Sequence, residues 1–152
     1  MIHRMLSATL ALIGFFVALY LSLWKLGFMG PLLCTPGGGC DVVQTSEYAV
    51  FLGVPVAFYG VGGFAAIFVV GLVGVQPAWV GRREPTVLLV LLSSIGVAFS
   101  AYLTYLEAAV IHAWCQWCIA SAVIVTATFL VSLAGLLPRP VPETAPAGDS
   151  RG

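Results

Sequence analysis

The stretch Trp114-Cys-Gln-Trp-Cys-Ile119 begins a long apolar run and places two thiols, Cys115 and Cys118, three residues apart. Residues i and i+3 lie on one face of a helix, so the two sulfurs can form a disulfide and be reduced again without a backbone change. A helix start also lowers the pKa of the leading thiol, Cys115. A rise of 1.5 Å per residue puts Cys118 about 4.5 Å deeper than Cys115. The pattern predicts a redox-active pair whose two sulfurs have different surroundings.

The composition around this motif is that of an integral membrane protein. Of the 152 residues, 61% are hydrophobic and only 8% are charged, and the mean hydropathy is +1.07. Soluble domains carry roughly 25% charged residues, so this chain has too few charges to cover a water-facing surface. The formal net charge is zero, and nothing in it indicates a nucleic-acid partner.

Four apolar runs are each long enough to cross a bilayer, which takes about 20 residues. They predict an all-α integral membrane protein, in which residues 1–137 form one four-transmembrane-helix bundle. The polar insert after the first run predicts a short outer-loop helix over Ser46–Leu52, with a Ser or Thr N-cap. The Pro-rich segment 138–152 predicts a disordered cytoplasmic tail. The predicted spans are residues 5–28, 53–75, 86–106 and 116–137.

The basic residues predict how the bundle is oriented in the membrane. With the N-terminus inside, the outer segments hold only Lys25, whereas the inner ones hold Arg4, Arg82, Arg83 and Arg139. This distribution follows the positive-inside rule. We therefore expect a multi-pass protein of the cytoplasmic (inner) membrane with both termini cytoplasmic. All four cysteines then face the outer side, where disulfides persist.

Cys34 and Cys40 form a second pair, separated by Thr-Pro-Gly-Gly-Gly. The glycines let the backbone reach the Cα separation of about 4.4–6.8 Å that a disulfide needs. Two neighbouring dithiols exchange electrons by thiolate attack through a mixed disulfide. The predicted route runs from an external thiol through this loop pair to Cys115 and Cys118, and then to an acceptor dissolved in the membrane.

Other readings of the four cysteines are two structural disulfides or a four-thiolate zinc site. Zinc ribbons usually present two Cys-x-x-Cys knuckles, whereas the first pair here has five intervening residues. A structural disulfide across Cys-x-x-Cys closes too short a loop to stabilise a fold much. Redox chemistry without a metal is the favoured reading.

Several short motifs are spread along nearly the whole chain. They are Cys34-x5-Cys40 followed by Asp-Val-Val, then Ser46, then Leu52-Gly-Val-Pro55, and finally the Cys-x-x-Cys stretch. With this set the chain resembles the bacterial homologues of vitamin K epoxide reductase, in a stand-alone form without a fused thioredoxin-like domain. The resemblance implies four packed transmembrane helices around a quinone, menaquinone or ubiquinone. It also implies a thiol:quinone oxidoreductase that supports disulfide bond formation.

The resemblance gives each cysteine a role. It implies that Cys34 exchanges with a separate thioredoxin-like (DsbA-like) extracytoplasmic protein, that Cys40 exchanges with Cys115, and that Cys118 meets the quinone. Ser46 corresponds to a loop serine that helps to order the catalytic site, although a plain N-cap is an equal reading.

The candidate quinone pocket contains one departure from the family. Animal members carry a tyrosine four residues beyond the second cysteine of Cys-x-x-Cys, where this chain has Ala122. The departure disfavours epoxide reduction and favours simple quinone reduction. The candidate pocket residues are Phe51, Phe58, Tyr59 and Ala122.

Two titratable residues precede the Cys-x-x-Cys motif. His112 is read as an interfacial polar side chain in preference to a catalytic group. Glu107 is either an acid at the end of a helix or part of a proton route, since an ionisable group at membrane depth is a functional candidate.

Two further functions compete with the main one. A DsbB-type oxidase of unrelated fold performs the same chemistry, but that group carries Cys-x-x-Cys in its first outer loop, the reverse of the order here. A non-catalytic membrane subunit with structural disulfides is the alternative from another class.

Overall fold

Four long helices dominate the chain in a computed structural model, which describes residues 1–138. Each is long and apolar enough to cross a membrane, so the predicted four-helix membrane bundle is confirmed. The predicted tail lies, apart from its first residue, outside the described residues. The helices are α1 (Ile2–Lys25), α3 (Val56–Gly74), α4 (Glu84–Leu106, continued by a π-helical turn, Glu107–Ile111) and α5 (Gln116–Leu136).

The connection between α1 and α3 contains a short helix, α2 (Cys40–Thr45), and then a 3₁₀ turn (Glu47–Ala49). A hairpin of β1 (Val50–Phe51) and β2 (Val54–Pro55) follows. The prediction of a helix over Ser46–Leu52 is therefore wrong, and the short helix of this connection is α2, one segment earlier. Leu52 and Gly53 both have positive φ, which is the backbone of a two-residue hairpin turn and cannot continue a helix.

The bundle is held together by apolar contacts between small and large side chains. Helix α1 packs against α3 and α5, and α4 packs against α5 and α3. A buried hydrogen bond of 3.0 Å between the hydroxyls of Ser7 and Ser132 joins α1 to α5. The buried cluster at the centre consists of Ala11, Ala18, Phe64, Ile67, Leu89 and Val125.

Arg4 closes the end of the bundle opposite the cysteines. Its side chain is only 4% exposed, and it donates to the backbone carbonyls of Gly74, Trp79 and Arg82 and to the hydroxyl of Thr86. A helix of 24 residues is about 36 Å long, so Arg4 and Lys25 lie at opposite ends of α1. The N-terminus and the α3–α4 connection thus share one end of the molecule.

The contact of Gly71 with α1 generates a test of the packing. A Cβ atom on Gly71 would lie 2.9 Å from the Ala8 Cβ and 3.3 Å from its Cα, whereas a Cβ on Gly62 of the same helix meets nothing within 4 Å. We expect Gly71→Leu to push α3 from α1 and to destabilise the bundle by about 1–3 kcal/mol. Thermal unfolding in detergent should show a lower midpoint for Gly71→Leu and little change for the matched control, Gly62→Leu. Equal midpoints for the two variants would contradict this packing.

Candidate redox site

The first cysteine pair is a disulfide between Cys34 and Cys40, with Cα atoms 6.2 Å apart. Cys40 is the first residue of α2 and is fully buried, whereas Cys34 is half-buried in the loop before it. Of the two sulfur-bearing residues, only Cys34 is therefore reachable by another protein. The bond also anchors the start of α2, which is too short to be stable alone.

Residues 33–39, here called the glycine loop, dock onto the start of α5. The amide N–H of Gly39 donates to the carbonyl of Trp114 at 3.0 Å, and the Trp117 indole donates to the carbonyl of Leu33 at 2.7 Å. The Gln116 side chain accepts from the Thr35 N–H and donates to the Leu33 carbonyl. A Cβ on Gly39 would lie 2.6 Å from that of Ala113, so only glycine allows this approach. The docking brings the two cysteine pairs together.

The second pair, Cys115 and Cys118, is reduced in this structure. Cys115 has extended backbone angles and is the N-cap of α5, one residue before the helix, so it does not lie within the first turn as the i, i+3 argument assumed. Cys115 is fully buried in one cluster with Cys40, whereas Cys118 lines the large cavity of the bundle. The two sulfurs thus have the different surroundings that the sequence predicts.

The Gln44 side chain connects the sulfurs of Cys115 and Cys118 to helix α2. Its amide nitrogen lies 3.3 Å from the Cys118 sulfur and 3.8 Å from the Cys115 sulfur, and the residue is 8% exposed. The Lys25 ammonium donates to the Gln44 backbone carbonyl at 2.6 Å, which fixes α2 to the end of α1. Sequence reasoning missed Gln44. Its position one turn after Cys40 is the only signal that could have found it.

Glu107 reaches the same pair from the other side. Its Oε2 accepts a 3.0 Å hydrogen bond from the backbone N–H of Cys115, and the residue is only 3% exposed. The Cys118 thiol is a hydrogen-bonding neighbour of this carboxyl group. His112, by contrast, is exposed, and its Nδ1 lies 3.1 Å from the carbonyl of Ala108.

The surroundings of Cys115 favour its thiolate. Its pKa is lowered to about 7, chiefly because the Cys118 thiol hydrogen-bonds to its sulfur. Hydrogen bonds from the Gln44 amide and from the backbone N–H groups of Trp117 and Cys118, at the start of α5, also lower this pKa. Burial of the thiol raises it. The lowered pKa makes the Cys115 thiolate, which is the nucleophilic form, more available near neutral pH.

A cavity of about 370 Å³ opens beside Cys118 between α1, α3, α4 and α5. Its volume is in the range of small-molecule sites, and its walls are mostly apolar. Three aromatic rings, those of Phe51, Tyr59 and Phe99, form one wall with centroids 5.9–6.1 Å apart. The polar side chains among the described lining residues include Gln44 and Glu107 at the Cys118 end, the hydroxyl of Tyr59 on α3, and hydroxyl groups on α4 and α5.

The four predicted pocket residues have different positions. Phe51 and Tyr59 line this cavity, whereas Phe58 and Ala122 are not among the described residues that line it. Each lies on a lining helix, next in sequence to a residue that does line the cavity. Ser121 takes the place expected for Ala122.

Ser46 stands between α2 and the 3₁₀ turn. Its hydroxyl donates to the carbonyl of Val43 at 2.7 Å, and it makes no side-chain cap of the following turn. This contact ties the hairpin segment to α2, two residues from Gln44. A role for Ser46 in ordering the site stays a prediction.

The fold and the two adjacent cysteine pairs define a membrane thiol–disulfide oxidoreductase. Within residues 1–138, no three His, Cys, Asp or Glu side chains are grouped to hold a metal ion. A family model described as the vitamin K epoxide reductase family matches residues 5–133. The chain belongs to this family, which is linked to quinones in general. The match includes all four cysteines.

The thiolate of Cys115 can be titrated directly. With the glycine-loop disulfide intact and Cys115 and Cys118 reduced, the ultraviolet absorbance of the thiolate should rise with a midpoint near pH 7, because the pKa of Cys115 is lowered to about 7. Gln44→Leu removes one hydrogen-bond donor and should move the midpoint towards the ordinary cysteine value of about 8.5. Gln76→Leu, at the opposite end of the bundle, is the matched control. A wild-type midpoint at the ordinary value would contradict this assignment.

Proposed function

We propose that this protein is a thiol:quinone oxidoreductase that reoxidises a thioredoxin-like (DsbA-like) protein on the outer side of the cytoplasmic membrane and passes the electrons to a membrane quinone. The observation that carries the proposal is the position of Cys118. Its side chain contacts Gln44 and the Cys115 sulfur on one side and lines the apolar 370 Å³ cavity on the other. A quinone head group in that cavity would meet Cys118 before any other cysteine.

Three exchanges transfer one pair of electrons. A partner dithiol reduces the Cys34–Cys40 disulfide and becomes a disulfide itself. The resulting loop dithiol reduces a Cys115–Cys118 disulfide through a mixed disulfide between Cys40 and Cys115. The Cys115–Cys118 dithiol then gives two electrons and two protons to the quinone, which becomes a quinol.

The state of the four cysteines is consistent with this order. The Cys34–Cys40 bond and the free thiols of Cys115 and Cys118 form one of the combinations that these exchanges require. Burial of Cys40 and Cys115 in one cluster supports their pairing in the second exchange. The half-buried position of Cys34 supports its role towards the partner.

The orientation proposed for the bundle rests on charge. Arg4, Arg82 and Arg83 lie at one end, and Lys25 lies at the cysteine end. By the positive-inside rule, the arginine end is cytoplasmic and the cysteine end is outside. Menaquinone and ubiquinone share the head-group chemistry that this cavity would accept.

Removal of the Cys118 sulfur tests the quinone step. In lipid vesicles with a menaquinone or ubiquinone analogue and dithiothreitol, Cys118→Ala should lose quinone reduction, because the remaining thiol of the pair does not line the cavity. Thr126→Ala, on the exposed side of the same helix, should retain the wild-type rate. Normal quinone turnover by Cys118→Ala would refute the mechanism.

Trapping of a mixed disulfide tests the partner. Cys40→Ser leaves the more accessible Cys34 without its resolving thiol, so a disulfide to the partner protein should accumulate in cells and be identified by mass spectrometry. Cys34→Ser is the matched control and should trap far less. The partner assignment fails if Cys40→Ser captures no extracytoplasmic protein, or if both variants capture the same amount.

A further inference from the structure

Glu107 is the one buried acid among residues 1–138, and the three steps described above give its carboxyl group no role. A carboxylate at membrane depth is costly, and such residues are retained mainly where they carry protons or bind ions. Its contact with the Cys115 N–H needs only an acceptor oxygen, which an amide would supply without a charge. The presence of an ionisable group at this point therefore needs a further reason.

Two cavities meet at this carboxyl group. Glu107 lines the large cavity together with Cys118, and both residues also line a second cavity of about 30 Å³. The second cavity is bounded by Gln44, Ser46 and the exposed Tyr48. Most of its lining is apolar, and its polar groups are those of Gln44, Ser46, Tyr48, Glu107 and Cys118. A space of this size accommodates one water molecule where such partners are present. Glu107 thus lies between the sulfur that faces the large cavity and a small cavity bounded by residues 43–49.

Reduction of a quinone by two thiols moves protons as well as electrons. The S–S bond of Cys115–Cys118 forms, the two S–H bonds break, and two electrons and two protons pass to the quinone. Both protons must leave the sulfurs as the S–S bond forms, and the cavity that Cys118 lines is mostly apolar. A proton carrier is therefore needed beside Cys118.

On the basis of the proposed function, we propose that Glu107 is the catalytic proton carrier of the quinone-reducing step. Its carboxylate takes the proton of the Cys118 thiol and gives it to the quinone oxygen nearest Cys118. The second proton comes from the Cys115 thiol or, when that is ionised, from water by way of the small cavity and Glu107. Electrons and protons balance, since the dithiol and quinone become a disulfide and a quinol.

Other titratable groups around Glu107 are less suited to this role. The ring of His112, on the same helix, is exposed and lies beside the Ala108 carbonyl. The Lys25 ammonium, from α1, donates to the Gln44 carbonyl. The Tyr59 hydroxyl, from α3, donates to the Phe51 carbonyl at 3.0 Å. The remaining titratable groups that line these cavities are Tyr48, beyond α2, and the thiol of Cys118, which hydrogen-bonds to that of Cys115.

The test compares Glu107→Gln with Glu84→Gln, a matched control at the other end of α4. Glutamine keeps an acceptor for the Cys115 N–H but cannot carry the proton. In single-turnover experiments with the reduced full-length protein and a ubiquinone analogue, Glu107→Gln should slow quinone reduction by about 10²-fold. Exchange between the loop pair and Cys115–Cys118, measured without quinone by rapid alkylation, should be unchanged. Glu107→Asp, which keeps a carboxyl group, should restore part of the rate.

A wild-type rate in Glu107→Gln would overturn the inference, and so would equal slowing of the exchange and quinone steps, which indicates positioning only. Infrared difference spectra of the wild-type protein provide a second measurement that does not depend on the folding of a variant. During a single turnover, time-resolved spectra should show the band of the protonated carboxyl group appear and then disappear, and its absence would also overturn the inference. Wild-type protein that reduces no quinone contradicts the proposed function itself, whereas normal reduction by both proteins contradicts only the role of Glu107.

Discussion

The docking of the glycine loop onto the start of α5 is the constraint on which the redox site depends. The loop and the helix are far apart in sequence, and they are joined by backbone carbonyls and by the side chains of Gln116 and Trp117. These bonds enclose Cys40 and Cys115 completely. In such a protected place hydrogen bonds face little competition from water and define one geometry. Two cysteine pairs that are far apart in sequence are thereby held in and against one buried cluster.

A second consequence of this docking concerns the polarity of the surroundings of Cys118. Cys118 lies where the polar end of the site, with Gln44 and Glu107, meets the apolar cavity. Burial of an amide and a carboxyl group near a membrane interior costs free energy unless each has partners. Here the amide donates to sulfur, and the carboxylate accepts from the Cys115 N–H. The Gln44 amide also contributes to the lowered pKa of Cys115, whereas Cys118 faces the cavity.

Much of the fold could be predicted because it follows from patterns that are local in the sequence. Apolar runs of membrane length give four helices, and cysteine spacing separates the loop pair from the helix pair. The helix predicted over Ser46–Leu52 failed because polar composition does not distinguish a short helix from a hairpin whose turn has positive φ. Phe58 and Ala122 were assigned to the pocket from aromatic composition and a family motif, but which face of a helix lines a cavity depends on packing. Gln44 was missed because its contacts join two distant segments, and only its position one turn after Cys40 pointed to it.

The elements that carry the chemistry are short, and they depend on the long helices for their stability. Helix α2 has six residues and is unstable by itself. The Cys34–Cys40 bond fixes its first residue, and the Lys25 side chain of α1 donates to a carbonyl near its other end. Gln44 follows Cys40 by one turn and is itself the residue whose carbonyl accepts from Lys25. In this structure the Cys34–Cys40 disulfide is formed, and Gln44 donates to the reduced sulfurs of Cys115 and Cys118. The redox state of the loop pair and the surroundings of the second pair are thereby linked through one turn of helix.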